Sequence, residues 1–389
     1  MKNTIKIAHL ASFKGNIGDN ASHAGFYNWF EHANKEFKIK WNHIEIRDLY
    51  RIRGLRKWDD DFISFLNTFD AIVIGGGGYF ELWVEDSPSG CSIEFSPEQI
   101  EKIQKPIFFN SIGIDIYQGS KNLNIKRFEE FLESICQKEK NLISLRNDGS
   151  KSYLKNLYKN KFENKIFFSP DNGFFSKYKN YQNQEFSSKD KEKILLINIA
   201  SDMPKKRFSE IKGIDKIDLF CKEIANAILV LKDLIPIKVI FSPHIYSDID
   251  ICSKIIYCLP DYFIRSKVSM APYLSGFSGS KKIFSEYYGS ADIVWGNRFH
   301  SNICSIALNN QTIGLFNYVQ IMNLYKELDQ VNRLVNIKQL DFSEQLITKS
   351  ISMLDSKWNL KESPEEAMKL VKKQLSKFLP KAKNWLENI

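Results

Sequence analysis

Residues 289–316, GSADIVWGNRFHSNICSIALNNQTIGLF, constrain the fold more than any other stretch of the chain. Asp292 to Trp295 is a short apolar run of the kind that becomes a fully buried strand. Gly296 ends it, and Asn297, Arg298, Phe299 and His300 sit where a strand hands over to a helix. In that helix Ile303, Ile306 and Ala307 share one face at a period of about 3.6 residues. Asn309-Asn310 closes it, and Thr312 to Phe316 reads as the next strand. Strand, helix and strand at this spacing predict an α/β fold. An arginine and a histidine two residues apart, at the carboxyl end of a strand, lie where open α/β sheets bind ligands. The helix amino terminus behind them offers backbone N–H donors suited to an anion. The alternative is structural, an arginine salt bridge and a hydrogen-bonded histidine beside a loop, and the segment alone leaves both open.

The same grammar recurs along the chain. Ile5 to Leu10 predicts a first strand, Lys14 to Asn20 a glycine-containing turn, and about Ala21 to Ala33 a helix. Strands follow at Ile39 to Ile46, Ala71 to Ile74, Ile107 to Ile112, Leu142 to Leu145 and Phe167 onwards, with helices at Phe62 to Phe69, Ile125 to Glu139 and Lys151 to Tyr158. Strands at Ile194 to Ile199 and Ile237 to Phe241 flank a helix carrying Leu219, Ile224, Ile228 and Leu231. Alternating strands and helices predict doubly wound, mainly parallel sheets. A length of 389 residues suggests two domains. The boundaries read as an amino-terminal domain over 1–178, a linker rich in Lys, Asn, Gln and Ser over 179–193, a second domain over 194–340 and helices packing on the body over 341–389. In that tail Ser363-Pro364-Glu365-Glu366 is a helix start, Pro380 is expected to interrupt the helix, and Trp385 to anchor a short segment beyond.

Composition excludes some classes. The net charge of +9 is spread along the chain without an Arg-rich block or interleaved aromatics, which speaks against nucleic acid. The excess suits phosphorylated small molecules or an anionic membrane surface, and the lysines of the tail read either as a solvated face or as a peripheral membrane contact. The six cysteines lack CxxC spacing and read as reduced thiols rather than a disulfide frame or zinc site. With no signal peptide and no run long enough to span a bilayer, a cytoplasmic protein is expected, with the inner face of the membrane as a further location.

Other chemistry-bearing residues stand at strand ends. Asn16, Asp19 and Asn20 border the first helix, where Asp19 is either a base or, the more common case, a helix cap. The run Gly75 to Gly78 permits close approach of a ligand or of another backbone, but matches neither GxGxxG nor a P-loop, so it gives little support for NAD or ATP. Arg146 emerges from a strand before Asp148 and Ser150, which are expected to cap the next helix. His244 follows Pro243 at another strand end, where a structural role is the commoner outcome. Asp59 to Asp61 precede a helix instead of ending a strand, so they read as first-turn acids and not as a metal motif.

These marks, taken in order, resemble the polysaccharide pyruvyl transferase family. GNIGD at Gly15 to Asp19, the glycine run at Gly75 to Gly78, Ser144-Leu145-Arg146-Asn147-Asp148-Gly149-Ser150, Pro170-Asp171 and above all GNRFHSNICSIAL from Gly296 match the family's stretches, the last being its Gly-x-Arg-x-His segment. The marks span roughly residues 5 to 320. The resemblance implies two Rossmann-like domains facing across a cleft, GT-B-like, with the acceptor side in the first domain and the donor side in the second. It implies transfer of a pyruvyl group from phosphoenolpyruvate, as co-substrate and without cofactor or metal, to two hydroxyls of a sugar. That sugar would belong to a cell-surface polysaccharide or its lipid-linked precursor.

Carried over, Arg298 would bind the donor's carboxylate or phosphate and His300 would be the acid/base. Asn297, Ser301 and Arg207 join the donor-binding candidates, and Asn16, Asp19, Gly76, Gly77, Arg146 and His244 the acceptor or cleft candidates. A guanidinium suits bidentate contact with an oxyanion, and a histidine side chain titrates near neutrality. The chain departs from the family at one place: where a donor-binding arginine is expected after the first strand of the second domain, it reads Ala200-Ser201-Asp202, with Lys205, Lys206 and Arg207 following. The competing functions are a GT-B-type glycosyltransferase using a nucleotide sugar and a non-catalytic saccharide-binding protein.

Overall fold

The computed structural model describes residues 4–50, 54–115, 119–178, 192–202, 216–339, 341–355 and 360–389. The expected linker falls almost wholly on 179–191, outside the described residues, as do Lys205, Lys206 and Arg207. The chain forms two compact units: Met1–Lys14 with Ser22–Phe175 and Val371–Ile389, and Gly15–Ala21 with Ser176–Leu370.

The first unit carries strands β1 (Thr4–Ala11), β2 (Lys38–Glu45), β3 (Ala71–Gly75), β5 (Ile107–Ile112), β7 (Leu142–Leu145) and β8 (Ile166–Phe168). They form one parallel sheet in the order β2-β1-β3-β5-β7-β8. Two short strands, β4 (Phe80–Glu81) and β6 (Ile114–Asp115), pair beside it. Its helices are α1 (Ile17–Ala33) from Ser22 onward, the residues to Ala21 belonging to the second unit, then α2 (Asp60–Leu66), α3 (Pro97–Lys102), α4 (Asn122–Gln137) and α5 (Ser150–Tyr158). Because β3 is buried on both faces, its sequence is a continuous apolar run and not an alternating one, and β5, equally buried, breaks its run only at Asn110 and Ser111. In α4 the buried residues Phe128, Phe131, Leu132 and Ile135 repeat at helical spacing and pack on Phe80 and Phe109.

The second unit has β9 (Lys193–Asn198), β10 (Ile237–Phe241), β11 (Val268–Met270), β12 (Ile293–Gly296), β13 (Gln311–Phe316) and β14 (Leu334–Asn336). These are parallel in the order β11-β10-β9-β12-β13-β14. Around them lie α6 (Lys216–Leu234), α7 (Asp248–Tyr257), α8 (Asp261–Lys267), α9 (Gly276–Lys282), α10 (Phe299–Ala307), α11 (Val319–Glu327) and α12 (Phe342–Leu354). Trp295, wholly buried on β12, donates its indole N–H to Ser350 of α12 at 3.0 Å, fixing that helix on the sheet.

Three local expectations need correction. Helix α1 starts at Ile17, ahead of the expected Ala21, so Asp19 lies inside its first turn and the cap is Asn16, whose side-chain oxygen accepts the N–H of Gly18 at 3.0 Å. Ser150 is the first residue of α5 and not a cap residue; Gly149, at φ +89°, precedes it, while the Asp148 carboxylate accepts the Ser150 N–H at 3.2 Å. The third concerns the tail, where α13 (Pro364–Glu387) runs through Pro380. A mid-helix proline costs about 3 kcal/mol. Beyond it, Ala382, Trp385 and Leu386 are buried against the first unit's core, with the Trp385 ring 5.4 Å from that of Phe108. Two such large buried side chains, at about 1.5–3 kcal/mol for a fully buried Leu or Phe, outweigh the lost turn.

Candidate functional site

In the second sheet β9 connects onward to β10 on one side, while β12 connects to β13 on the other. The two central strands therefore part at their carboxyl ends, the switch point at which open α/β sheets bind ligands. Asn198 ends β9 and Gly296 ends β12, side by side in the register. Asn198 accepts the Arg298 N–H at 3.0 Å through its side-chain oxygen and donates to the Ser242 carbonyl at 2.8 Å. Asn297 knits three strand ends: its oxygen accepts the Ala200 N–H at 3.0 Å, and its amide donates to the Leu315 carbonyl at 2.8 Å and to Asn317 at 3.2 Å. Asn302 closes the turn from within α10, donating to the Gly296 and Arg298 carbonyls and accepting the Tyr325 hydroxyl at 2.8 Å. The backbone of Arg298 is thereby held from both sides.

The Arg298 side chain meets two carboxylates. Its Nε donates to Asp248 Oδ2 at 2.7 Å and its Nη2 to Asp248 Oδ1 at 2.5 Å, a bidentate pair, while Nη2 also reaches Asp202 Oδ1 at 2.7 Å. Asp248 opens α7, is fully buried, and accepts the N–H groups of His244, Ile245 and Ser201. Burial pushes its carboxyl up, but Arg298 and the His244 N–H outweigh that and hold it below the usual range. Burial likewise works against the guanidinium charge, and Asp248 and Asp202 more than offset it. The pair is a standing ion pair.

His300 occupies the first turn of α10 and is nearly buried. Its ring lies against Gly18, where a Cβ would stand 2.6 Å from the histidine Cβ and 2.9 Å from Nδ1. Nδ1 is 3.6 Å from Asp19 Oδ1, too long for a hydrogen bond but within range of a charge pair when the ring is protonated. Asn16 steadies that carboxylate, donating to the same oxygen at 3.3 Å. The turn is fastened by the Ile17 N–H on the His244 carbonyl at 3.4 Å and by the Ser280 hydroxyl on the Ile17 carbonyl at 2.8 Å. Arg298, His300, Asp19, Asn16 and Asn297 thus belong to one constellation. Ser301 and His244 line its buried floor, joined through Tyr288, whose hydroxyl is 2.8 Å from each. Burial drives the His244 imidazole down to about 3, so it is neutral at physiological pH.

Gly76, Gly77 and Arg146 are in the first unit. Gly76, at φ +81°, leaves no room for a side chain, since a Cβ would lie 2.6 Å from His23 Nδ1. Gly77 accepts the Gly113 N–H at 2.9 Å. At these two positions the glycines admit neighbouring protein groups. Arg146 is buried between Asp148 at 2.7 Å and Asp171 at 3.4 Å, an internal ion cluster. Arg207 lies outside the described residues. The sequence reading had assigned no site role to Asp248, Asp202, Asn198, Asn302 or Tyr288. Polar residues at strand ends were the signal available for the first three. It also passed over Glu81, whose carboxyl burial raises to about 7.

What this constellation can do chemically is bounded by its parts: a fixed guanidinium with two carboxylates, and a histidine with a carboxylate behind it. Among the described residues no group of three or more His, Cys, Asp or Glu is placed to hold a metal ion, and no helix is long and apolar enough to cross a membrane. No curated protein matches the chain. Among solved structures, the Listeria monocytogenes protein assigned as a UDP-N-acetylglucosamine 2-epimerase aligns over 99% of this chain and 98% of its own at 11% identity and TM-score 0.59. An Anabaena protein in complex with UDP and glucose aligns over 99% and 98% at 7% identity and TM-score 0.53. A glycosyltransferase from Rickettsia africae aligns over the full length of both chains at 12% identity and TM-score 0.52. At such identities the likeness is one of fold, GT-B-like. The sequence profile of the polysaccharide pyruvyl transferases matches residues 12–318, through β12 and the turn that carries Arg298 and His300, and the chain belongs to that family of transferases.

Proposed function

We propose that this transferase moves a pyruvyl group from phosphoenolpyruvate onto two hydroxyls of a sugar in a cell-surface polysaccharide or its lipid-linked precursor. The carrying observation is the placement of Arg298 and His300 together at the switch point of the second sheet, with the Gly18-Asp19 turn packed on the histidine. The second unit is then the donor side and the first the acceptor side. In the balanced reaction, the donor's methylene carbon gains a proton and becomes a methyl group. The two sugar oxygens bond to the former enol carbon, and the bond from that carbon to the phosphate oxygen breaks. The sugar's two hydroxyl protons account for the proton on carbon and the one carried off by phosphate.

His300 is the group for that proton traffic, and the Asp19 carboxylate stands 3.6 Å from its Nδ1. Arg298 holds the donor's oxyanion through the guanidinium edge not spanned by Asp248. Asn297 and Ser301 act by fixing the loop and the floor, since their polar atoms are engaged within the protein.

The test is calorimetric titration with phosphoenolpyruvate, UDP, CMP and GDP of the wild type and of Arg298→Ala. Saturable phosphoenolpyruvate binding that disappears in the variant is the expected result. Binding of a nucleotide with none of phosphoenolpyruvate would instead favour a nucleotide-sugar glycosyltransferase, a reading to which the Anabaena protein with bound UDP and glucose lends weight.

A further inference from the structure

The guanidinium of Arg298 is outnumbered. Among the described residues its single positive charge faces two carboxylates, so a phosphorylated donor approaching it meets carboxylate oxygens already bonded to the guanidinium. The two acids are not equivalent. Asp248 is wholly buried, spans Nε and Nη2, and is fixed by three backbone N–H groups from the ends of β9 and β10. Asp202 meets the guanidinium through Nη2 alone, and its side chain is 30% exposed. Removing Asp248 would leave the guanidinium only its single contact with Asp202, whereas Asp202 can be exchanged for another oxyanion with the bidentate Asp248 pair intact.

We infer that Asp202 is a built-in competitor for the donor: its carboxylate occupies the place on Arg298 that a phosphate or carboxylate of the incoming anion takes, and so sets which ligands bind and how tightly. A neutral saccharide gains nothing by displacing it. A monoanion merely replaces one charge with another, while a dianionic or trianionic phosphate ester brings charge to spare. The edge therefore selects for highly charged donors and holds their affinity down. The donor's identity as phosphoenolpyruvate rests on the function proposed above; the competition itself does not.

Titration of phosphoenolpyruvate, UDP and inorganic phosphate into wild type, Asp202→Asn and Asp202→Ser separates the two. Asn keeps the shape and removes the charge, and Ser guards against a folding artefact of one variant. Tightening of phosphoenolpyruvate at least about tenfold, on the order of 1.4 kcal/mol, in both variants supports the competitor and the donor together. Tightening of UDP by a similar factor, with phosphoenolpyruvate silent throughout, overturns the donor and leaves the competitor standing. Unchanged or weaker binding of every anion in both variants overturns the competitor, whichever donor the wild type takes.

Discussion

Gly18→Ala is the perturbation that most directly probes how His300 is held. The added Cβ would sit 2.6 Å from the histidine Cβ, 2.9 Å from Nδ1 and 3.0 Å from Cγ. Carbon contacts are comfortable at about 3.5–4.0 Å, so the ring or the α1 turn must give by about 1 Å. Two stability terms oppose each other. Alanine in a helix gains about 1 kcal/mol over glycine, and overpacking costs about 1–3 kcal/mol, so the net loss should be small, on the order of 1 kcal/mol. With His300 as the acid/base of the proposed reaction, activity has no such compensation, because a misplacement of about 1 Å at a catalytic group costs about 100-fold in rate. The reasoning therefore expects a dissociation between the two. Phosphate release from phosphoenolpyruvate, measured with one glycan acceptor preparation for both proteins, should fall about 100-fold, while thermal melting moves by a few degrees. A variant that keeps the wild-type rate would refute it, since His300 would then tolerate displacement or not take part.

Asp248→Asn leaves Arg298 without its bidentate partner, and urea unfolding should report a loss of about 3 kcal/mol; a loss below about 1 kcal/mol would mean that Asp202 suffices. Because the Asp248 carboxyl is held below its ordinary range in the folded protein, its contribution is present above about pH 4 and disappears as pH falls below that. His244 acts over a higher window. Burial keeps it neutral down to about 3, so from about pH 6.5 downward the unfolded chain takes a proton that the folded one refuses, and stability drops by up to about 1.4 kcal/mol per pH unit. Urea midpoints between pH 7 and 5 should therefore fall less steeply in His244→Gln than in wild type, and equal slopes would contradict this. In the tail, Pro380→Ala should raise the melting temperature by restoring a helical hydrogen bond, with a gain of about 1–3 kcal/mol; no gain would mean that the proline bends α13 to fit its groove.

The strands were legible because a parallel sheet buried on both faces writes itself as apolar runs: Ala71 to Ile74, Leu142 to Leu145 and Ile237 to Phe241 lie in strands at those places. Local signals failed where long-range packing decided. Pro380 carries the strongest helix-breaking signal in the tail, yet what keeps α13 intact is its contact with Phe30 and Phe108, which lie hundreds of residues away in sequence. Asn16 and Asp19 are both good caps. The choice of Asn16 follows from where α1 begins, and that turn is held by Ser280 and the His244 carbonyl, which no window around residue 17 contains.

The site divides along the same line. Arg298 and His300 could be picked out because strand-to-helix grammar places them on one turn. What that turn can do was not legible, because charge at a switch point is assembled from several crossovers. Asp248 comes from the connection after β10 and Asp202 from the one after β9, separated from Arg298 by 50 and 96 positions. Arg298 taken alone reads as an anion site; with one carboxylate it becomes a fixed strut, and with two an anion site whose place is already held. A likeness of fold cannot choose among these, since sheets of the same order carry different charges on their loops. The choice rests on Asp202, the more exposed of the two acids, and the sign of the change when its charge is removed decides whether this transferase admits its donor by exchange at Arg298 or binds it elsewhere.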